Sequence, residues 1–165
     1  MSRVEGIAVK YTDRLAPSEG TVAAHAEVLN NRGYVWFGKV GRRIGADRAE
    51  VLKEQSRHGT RTFLVLVRTT QQPFTFHLCE IDDILFDLPR DELAAAPDYY
   101  ARLESPPSTW FRVTRILPLD SSLASDITVT SSGAPLSSAV RKGAVHFVHT
   151  DERVLTAATS EADLT

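Results

Sequence analysis

The chain has a single cysteine, Cys79, among its 165 residues. A lone thiol cannot close a disulfide and cannot by itself build a thiolate metal site, so core filler is its expected role. Long apolar runs are missing as well. Phe63-Leu64-Val65-Leu66-Val67 is among the longest, and it is far shorter than the roughly 20 residues that cross a bilayer as a helix. The start, Met1-Ser2-Arg3-Val4-Glu5, lacks the apolar stretch of a signal peptide. The expected location is therefore the cytoplasm, with no membrane partner. No charge of one sign dominates: the formal net charge of -2 argues against a protein that coats nucleic acid through bulk positive charge. A local basic face stays open, because Lys39, Arg42, Arg43 and Arg48 cluster early while Asp82, Asp83, Asp87, Asp91 and Glu92 crowd the middle. There is no internal repeat and no domain-scale linker.

What is present is an ordinary globular composition, 42% hydrophobic and 24% charged, far from the signature of disorder. A chain of this size buries roughly 70% of its unfolded surface, enough for one core. The expected organisation is a single domain over residues 1–155, followed by a frayed tail of small and polar residues at 156–165.

Gly6 to Tyr11 reads as a strand, ended by Thr12-Asp13-Arg14 and the Pro17-Ser18-Glu19-Gly20 break. A helix follows, with Thr21 as cap, Val22, His25, Ala26, Val28 and Leu29 near helical spacing, and Gly33 past its end. Tyr34 to Val40 is a strand, Asp47 to Arg57 a surface helix, and Thr62 to Arg68 a central strand. Phe74 to Ile81 alternates as a further strand. A helical turn between Pro89 and Pro97 leads to Tyr99-Tyr100, and Pro106-Pro107 forces an extended entry to a strand from Thr109 to Leu117. A short strand ends at Val129, Leu136 to Arg141 forms a helical turn, and Ala144 to Val148 is a last strand. The predicted fold class is α+β: a small, curved antiparallel or mixed β-barrel flanked by helices.

Chemistry-bearing patterns are sparse. His77 and Cys79 share a strand face, a base beside a thiol, but without a third group to orient them they read as core and polar neighbour. His146 and His149, three apart, lack Cys partners and read as a solvated pair. Asp82 and Asp83 are strand neighbours that point to opposite faces, so they cannot flank one bond. No catalytic residue, metal ligand or cofactor is assigned, and the chain reads as a binding module and not an enzyme. Gly38-Lys39-Val40-Gly41-Arg42-Arg43-Ile44-Gly45 is no nucleotide motif, yet its glycines permit close approach and its cations can meet phosphates.

The aromatics carry the most information. Strand alternation puts Tyr34, Trp36 and Gly38 on one side, opposite Val35, Phe37 and Lys39, and it separates Trp110 from Phe111 in the same way. One of each Trp-Phe pair is then expected to leave the core: Phe37 and Phe111 inside, Trp36 and Trp110 at a rim. With Tyr99-Tyr100 on an adjoining loop, the rim can form a cage for a flat or methylated group, with Asp98, Ser131 or Ser132 reading polar edges.

Tyr34-Val35-Trp36-Phe37-Gly38-Lys39-Val40-Gly41, Pro97-Asp98-Tyr99-Tyr100, Thr109-Trp110-Phe111-Arg112-Val113 and Val129-Thr130-Ser131-Ser132-Gly133-Ala134-Pro135-Leu136 together resemble bacterial members of the PUA-like superfamily, close to its EVE and YTH-like domains. The resemblance spans Tyr34 to Arg141 and implies a compact β-barrel that binds a modified, often methylated, base in an aromatic cage. Carried over, it would place the cage on Trp36, Trp110 and Tyr100 or Tyr99, beside Tyr34, with Ser131, Ser132 and Asp98 at the base edge. Lys39, Arg42, Arg43 and Arg141 would meet phosphates. The expected partner is DNA carrying a modified base, 5-methylcytosine first, with RNA possible. The rival readings are a small RNA- or nucleotide-processing enzyme and a protein-interaction module.

Overall fold

The first strand, β1, runs Arg3–Tyr11, starting three positions ahead of the Gly6 its pattern suggests. The computed structural model describes residues 3–16, 19–70, 72–140 and 143–163, the last three by backbone alone. A 3-10 turn at Asp13–Leu15 leads to helix α1, Thr21–Arg32. Thr21 is the first helical residue and not the cap; the cap position is Gly20, and the Asp13 carboxylate accepts the Thr21 N–H at 2.9 Å. The helix stops on Gly33, whose φ of 86° suits a residue without a side chain and lets its N–H reach the Leu29 carbonyl at 2.7 Å.

Strand β2, Val35–Lys39, helix α2, Ala46–Arg57, and strand β3, Thr62–Arg68, follow where the apolar patterns place them. Strand β4, Thr75–Leu85, is longer than its alternating segment. The proline-bounded stretch forms two 3-10 turns, Arg90–Ala95 and Asp98–Arg102, before strand β5, Thr109–Leu119. The chain finishes with α3, Ser121–Ala124, β6, Thr128–Val129, α4, Leu136–Ala139, β7, Val145–Asp151, and α5, Glu152–Asp163.

The strands form one sheet in the order β2-β5-β4-β3-β1-β7-β6. β1 lies parallel to β3, while the pairs β1-β7, β2-β5 and β6-β7 are antiparallel, so the sheet is mixed and the class is α+β. A parallel neighbour requires a crossover rather than a hairpin. Here the crossover between β1 and β3 carries α1, β2 and α2.

Contacts divide the chain into two units: residues 1–12, 60–80 and 116–165 in one, residues 13–59 and 81–115 in the other. The first has a core of aliphatic residues with Phe63 and Phe76, drawn from β1, β3, β4, the end of β5, β7 and the short elements after β5. Helix α5 belongs to this core: Ala158 is buried, Leu155 packs with it, and Arg61 binds Glu152 at 2.8 Å and Thr156 Oγ1 at 2.7 Å. The expected tail is therefore, through Asp163, a helix. Its small residues let it lie close to the core, a use that composition alone does not reveal. The second unit is organised around aromatic rings.

Candidate functional site

Strand β2 is buried along its whole length, and this overturns the expectation that one member of each Trp-Phe pair leaves the core. Trp36 is 2% exposed, Trp110 4%, and Phe37 and Phe111 are buried as well. Alternation does separate the rings, but each face has its own cover. Helix α1 packs against β2 and brings His25 to within 5.2 Å, centroid to centroid, of Phe37. The turn at Asp98–Arg102 sets Tyr100 edge-on to Trp110 at 5.0 Å. In the β2-β5 ladder Gly38 lies opposite Trp110, and a Cβ there would sit 2.6 Å from Pro107 and 2.9 Å from the Trp110 ring. Glycine is what lets the indole lie flat across the strand.

The predicted cage residues therefore do come together, as an inner cluster and not a rim. Trp36, Trp110, Tyr99, Tyr100, Ala95 and Ala96 form it, with Tyr34 packed against its side. Tyr99 and Tyr100 stack at 4.4 Å, both about nine-tenths buried or more. Tyr34 gives its hydroxyl proton to Glu92 at 2.7 Å and carries the Arg112 guanidinium over its ring at 4.1 Å. Trp36 Nε1–H is enclosed without a hydrogen-bond partner among the described residues. A buried donor left unmatched costs about 1–3 kcal/mol, which makes it an unusual feature in a native interior.

One polar chain crosses this cluster. β2 is the last strand in the sheet order, so among the described residues no strand pairs with its outer edge. Gly38 N–H donates instead to the Tyr100 hydroxyl at 2.9 Å. That hydroxyl lies 2.7 Å from His25 Nε2, and His25 Nδ1 lies 2.7 Å from the Thr21 carbonyl. A carbonyl only accepts, so Nδ1 carries the hydrogen, Nε2 accepts the Tyr100 proton, and the imidazole is neutral. Burial, partly offset by the bond to Thr21, pulls the His25 pKa down to about 4, and burial pushes the Tyr100 phenol well above its ordinary value. His25 had registered in the sequence only as part of an apolar helix stripe. Its spacing from Thr21, one helical turn, is the available signal for the first bond, and nothing local signals the second.

Beside the cluster lies a cavity of about 280 Å³. Helix α1 lines it with Ala24, Glu27, Val28 and Asn31, and the second 3-10 turn with Asp98, Tyr99 and Arg102. Asp98 is exposed at this mouth. Tyr99 and Ala96 belong to both the cavity and the aromatic cluster, so they form the wall between the two. Glu27, Asn31 and Arg102 carry no distinguishing sequence signal, because helix-surface polar residues look alike until a neighbour makes a concavity.

A family model described as Pua-like matches residues 7–154. The chain belongs to the Pua-like family. No curated protein and no solved structure matches it. The family is one of nucleic-acid-binding domains, generally binding modules.

The Pua-like domain places the remaining predicted residues as follows. Lys39 is buried and its Nζ donates to the carbonyls of Val40 and Arg42, which holds the 39–43 loop together; burial lowers its pKa. Arg42 and Arg43 are exposed, with the Arg43 guanidinium 4.7 Å from the Phe86 ring centroid. Ser131 and Ser132 are exposed in the other unit, where Ser132 Oγ accepts the Ala134 N–H at 3.2 Å, and neither belongs to the aromatic cluster. Arg141 lies outside the described residues.

The chemically suggestive pairs resolve simply. Cys79 is fully buried and its thiol is pushed up by desolvation, while His77 is pushed down, so both groups are driven toward their neutral forms and away from a thiolate–imidazolium pair. His146 and His149, three apart on β7, fall on opposite faces, and His149 Nδ1 meets Thr130 Oγ1 at 3.1 Å. No group of His, Cys, Asp or Glu suited to a metal occurs among the described residues. Asp82 pairs with Arg112, and Asp83 accepts the Ile84 N–H at 2.8 Å.

Proposed function

We propose that this Pua-like domain reads a modified base in nucleic acid, with 5-methylcytosine in DNA as the first candidate, by admitting the flipped base to the Trp36–Trp110 aromatic cluster through the cavity beside Tyr99. The observation that carries this reading is the enclosed indole N–H of Trp36, a donor awaiting an acceptor in a nest of aromatic rings. A pyrimidine carbonyl or ring nitrogen supplies such an acceptor, and a methyl group on the ring adds apolar surface against an apolar cluster. Flipping costs a few kcal/mol, and stacking at about 1–3 kcal/mol per aromatic contact offsets it.

The cavity adds support. Asp98 is a carboxylate of the kind that accepts from the exocyclic amine of cytosine, and Asn31 presents an amide beside it. Arg42 and Arg43 remain exposed for phosphate, whereas Lys39 is occupied by its own loop. With a formal net charge of -2, affinity rests on this local patch and on the pocket instead of on bulk charge.

Titration of the domain with otherwise identical duplexes carrying cytosine or 5-methylcytosine, followed by tryptophan fluorescence and gel shift, tests the reading. The methylated duplex should bind at least about tenfold more tightly, a difference of about 1.4 kcal/mol. Trp36→Phe, which keeps a ring and removes the donor, should erase most of that preference. Equal binding of both duplexes sinks the modified-cytosine reading, and a stronger response to methylated RNA moves the substrate to RNA.

A further inference from the structure

We infer that Tyr99 and Tyr100 form a gate over the packed Trp36–Trp110 cluster and that the Tyr100 hydroxyl, held by His25 and Gly38, is its latch. The inference takes only the identity of the guest from the modified-base reading above; the gate itself rests on the geometry of the 98–102 turn.

Tyr99 is the first element of that geometry. It faces the 280 Å³ cavity on one side and the cluster of Trp36 and Trp110 on the other. A flat molecule in the cavity is thus separated from the two indoles by a tyrosine pair stacked at 4.4 Å. Swinging the pair outward opens the packed cluster to the cavity and exposes the Trp36 indole.

The second element is how the turn is held. Its backbone bonds are local and long, Tyr100 N–H to the Pro97 carbonyl at 3.3 Å and Leu103 N–H to the Tyr100 carbonyl at 3.4 Å. Both flanking residues, Pro97 (ψ 146°) and Leu103 (ψ 141°), are extended, so the turn is set off from the preceding turn at Arg90–Ala95 and from the chain that follows. Among the described residues, the hydrogen bonds that tie it to the rest of its unit are those of the Tyr100 hydroxyl, to Gly38 on β2 and His25 on α1. One side-chain oxygen therefore fastens the turn to two elements at once. The two tyrosines also share a hydroxyl hydrogen bond, and Tyr99 feels the Asp13 charge, but most of the contact surface is ring packing, which a second aromatic surface, such as a base, can replace in kind.

The third element is cost. The closed state leaves a buried donor unmatched at Trp36 while satisfying Gly38, His25 and Tyr100. A bound acceptor reverses part of that balance, since it matches Trp36 at the moment the latch is given up. Closed without ligand and open with it is the arrangement a bistable contact of this kind favours.

Hydrogen exchange tests the gate without any nucleic acid. In the wild-type protein, exchange of the Trp36 indole N–H should be at least about tenfold faster than that of the Phe37 and Phe111 amides, which lie opposite each other in the β2-β5 ladder of the same unit, because opening is local. Tyr100→Phe should accelerate the indole by about another tenfold while the two amides change less. Indole and amides exchanging at one common rate in the wild-type protein overturns the gate, since access then requires unfolding of the whole unit, and this measurement decides even if the variant does not fold. Fast indole exchange with equal binding of methylated and unmethylated duplexes leaves the gate standing and removes only its proposed guest.

Discussion

His25 and Tyr100 are 75 residues apart in the chain and 2.7 Å apart through Nε2 and the phenolic oxygen. The contact joins the helix on one face of β2 to the turn on the other, around the open edge of the sheet. It also fixes one tautomer, because Nδ1 is committed to the Thr21 carbonyl.

Stability should fall with acid in a defined window. The His25 pKa is lowered from 6.5 to about 4, so between those values the unfolded chain binds the proton that the folded protein refuses. The neutral histidine's contribution is complete above pH 6.5 and is lost as pH falls toward 4. At 1.36 kcal/mol per unit, a shift of about 2.5 units is worth roughly 3 kcal/mol. Urea unfolding at pH 7, 5.5 and 4.5 should show most of that loss, and a flat profile would contradict the buried neutral imidazole. Asp120 and Asp151, whose pKa values are lowered by their hydrogen bonds, act at more acidic pH, whereas His77, also lowered by burial, adds to the loss below pH 6.5, so the same titration of His25→Gln isolates the His25 share.

Gly38→Ala should destabilise the protein by about 1–3 kcal/mol, the usual cost of overpacking. The new Cβ meets Pro107 and the Trp110 ring well inside contact distance, and the Tyr100 hydroxyl is bound to the amide of the same residue. Thermal unfolding measures it. An unchanged midpoint would mean that β2 and β5 can separate without penalty.

Lys39 and Arg42 should divide between stability and binding. Lys39→Met removes the ammonium that gathers the Val40 and Arg42 carbonyls and should cost about 1 kcal/mol of folding stability. Arg42→Ala should leave stability within about 0.5 kcal/mol and, if Arg42 meets phosphate, reduce the salt dependence of nucleic-acid binding by about one counterion. Binding isotherms at several salt concentrations separate the two. A large stability loss in Arg42→Ala would reverse these roles.

Truncation after Leu155 should weaken the first unit by about 2 kcal/mol or more, since it removes the buried Ala158 and the Thr156 hydroxyl that Arg61 donates to. Denaturant midpoints of the truncated and full chains give the comparison. Equal midpoints would mean that the helix end contributes nothing, as its composition alone suggests.

Native Cys79 should resist a thiol reagent and react only on unfolding. Burial leaves it fully enclosed and disfavours the thiolate. Stoichiometric labelling in native buffer would reopen the His77–Cys79 pair as a chemical centre.

Local pattern made much of this fold readable. Apolar runs, the Gly33 stop and the paired prolines place β2, α1, α2, β3 and β5 within a few residues, because helix periodicity and turn chemistry act over neighbours in sequence. The same pattern brought Trp36, Trp110, Tyr99 and Tyr100 under suspicion as a group, and they are one cluster. It misread the end of the chain, where Ala158 and its small neighbours look solvated until a core is present to receive them.

The sequence by itself determined most of the strands, the helices α1 and α2 and which aromatic rings alternate along β2 and β5, but not the terminal helix α5. Only the tertiary structure decided that neither face of β2 is free. Alternation separates Trp36 from Phe37, but what covers each face comes from far along the chain, from His25 on one side and Tyr100 on the other. A period of two is a property of the strand alone. Burial is a property of whatever the rest of the chain brings against it, and here it turned an expected rim into an enclosed aromatic cluster whose Trp36 N–H has no partner among the described residues.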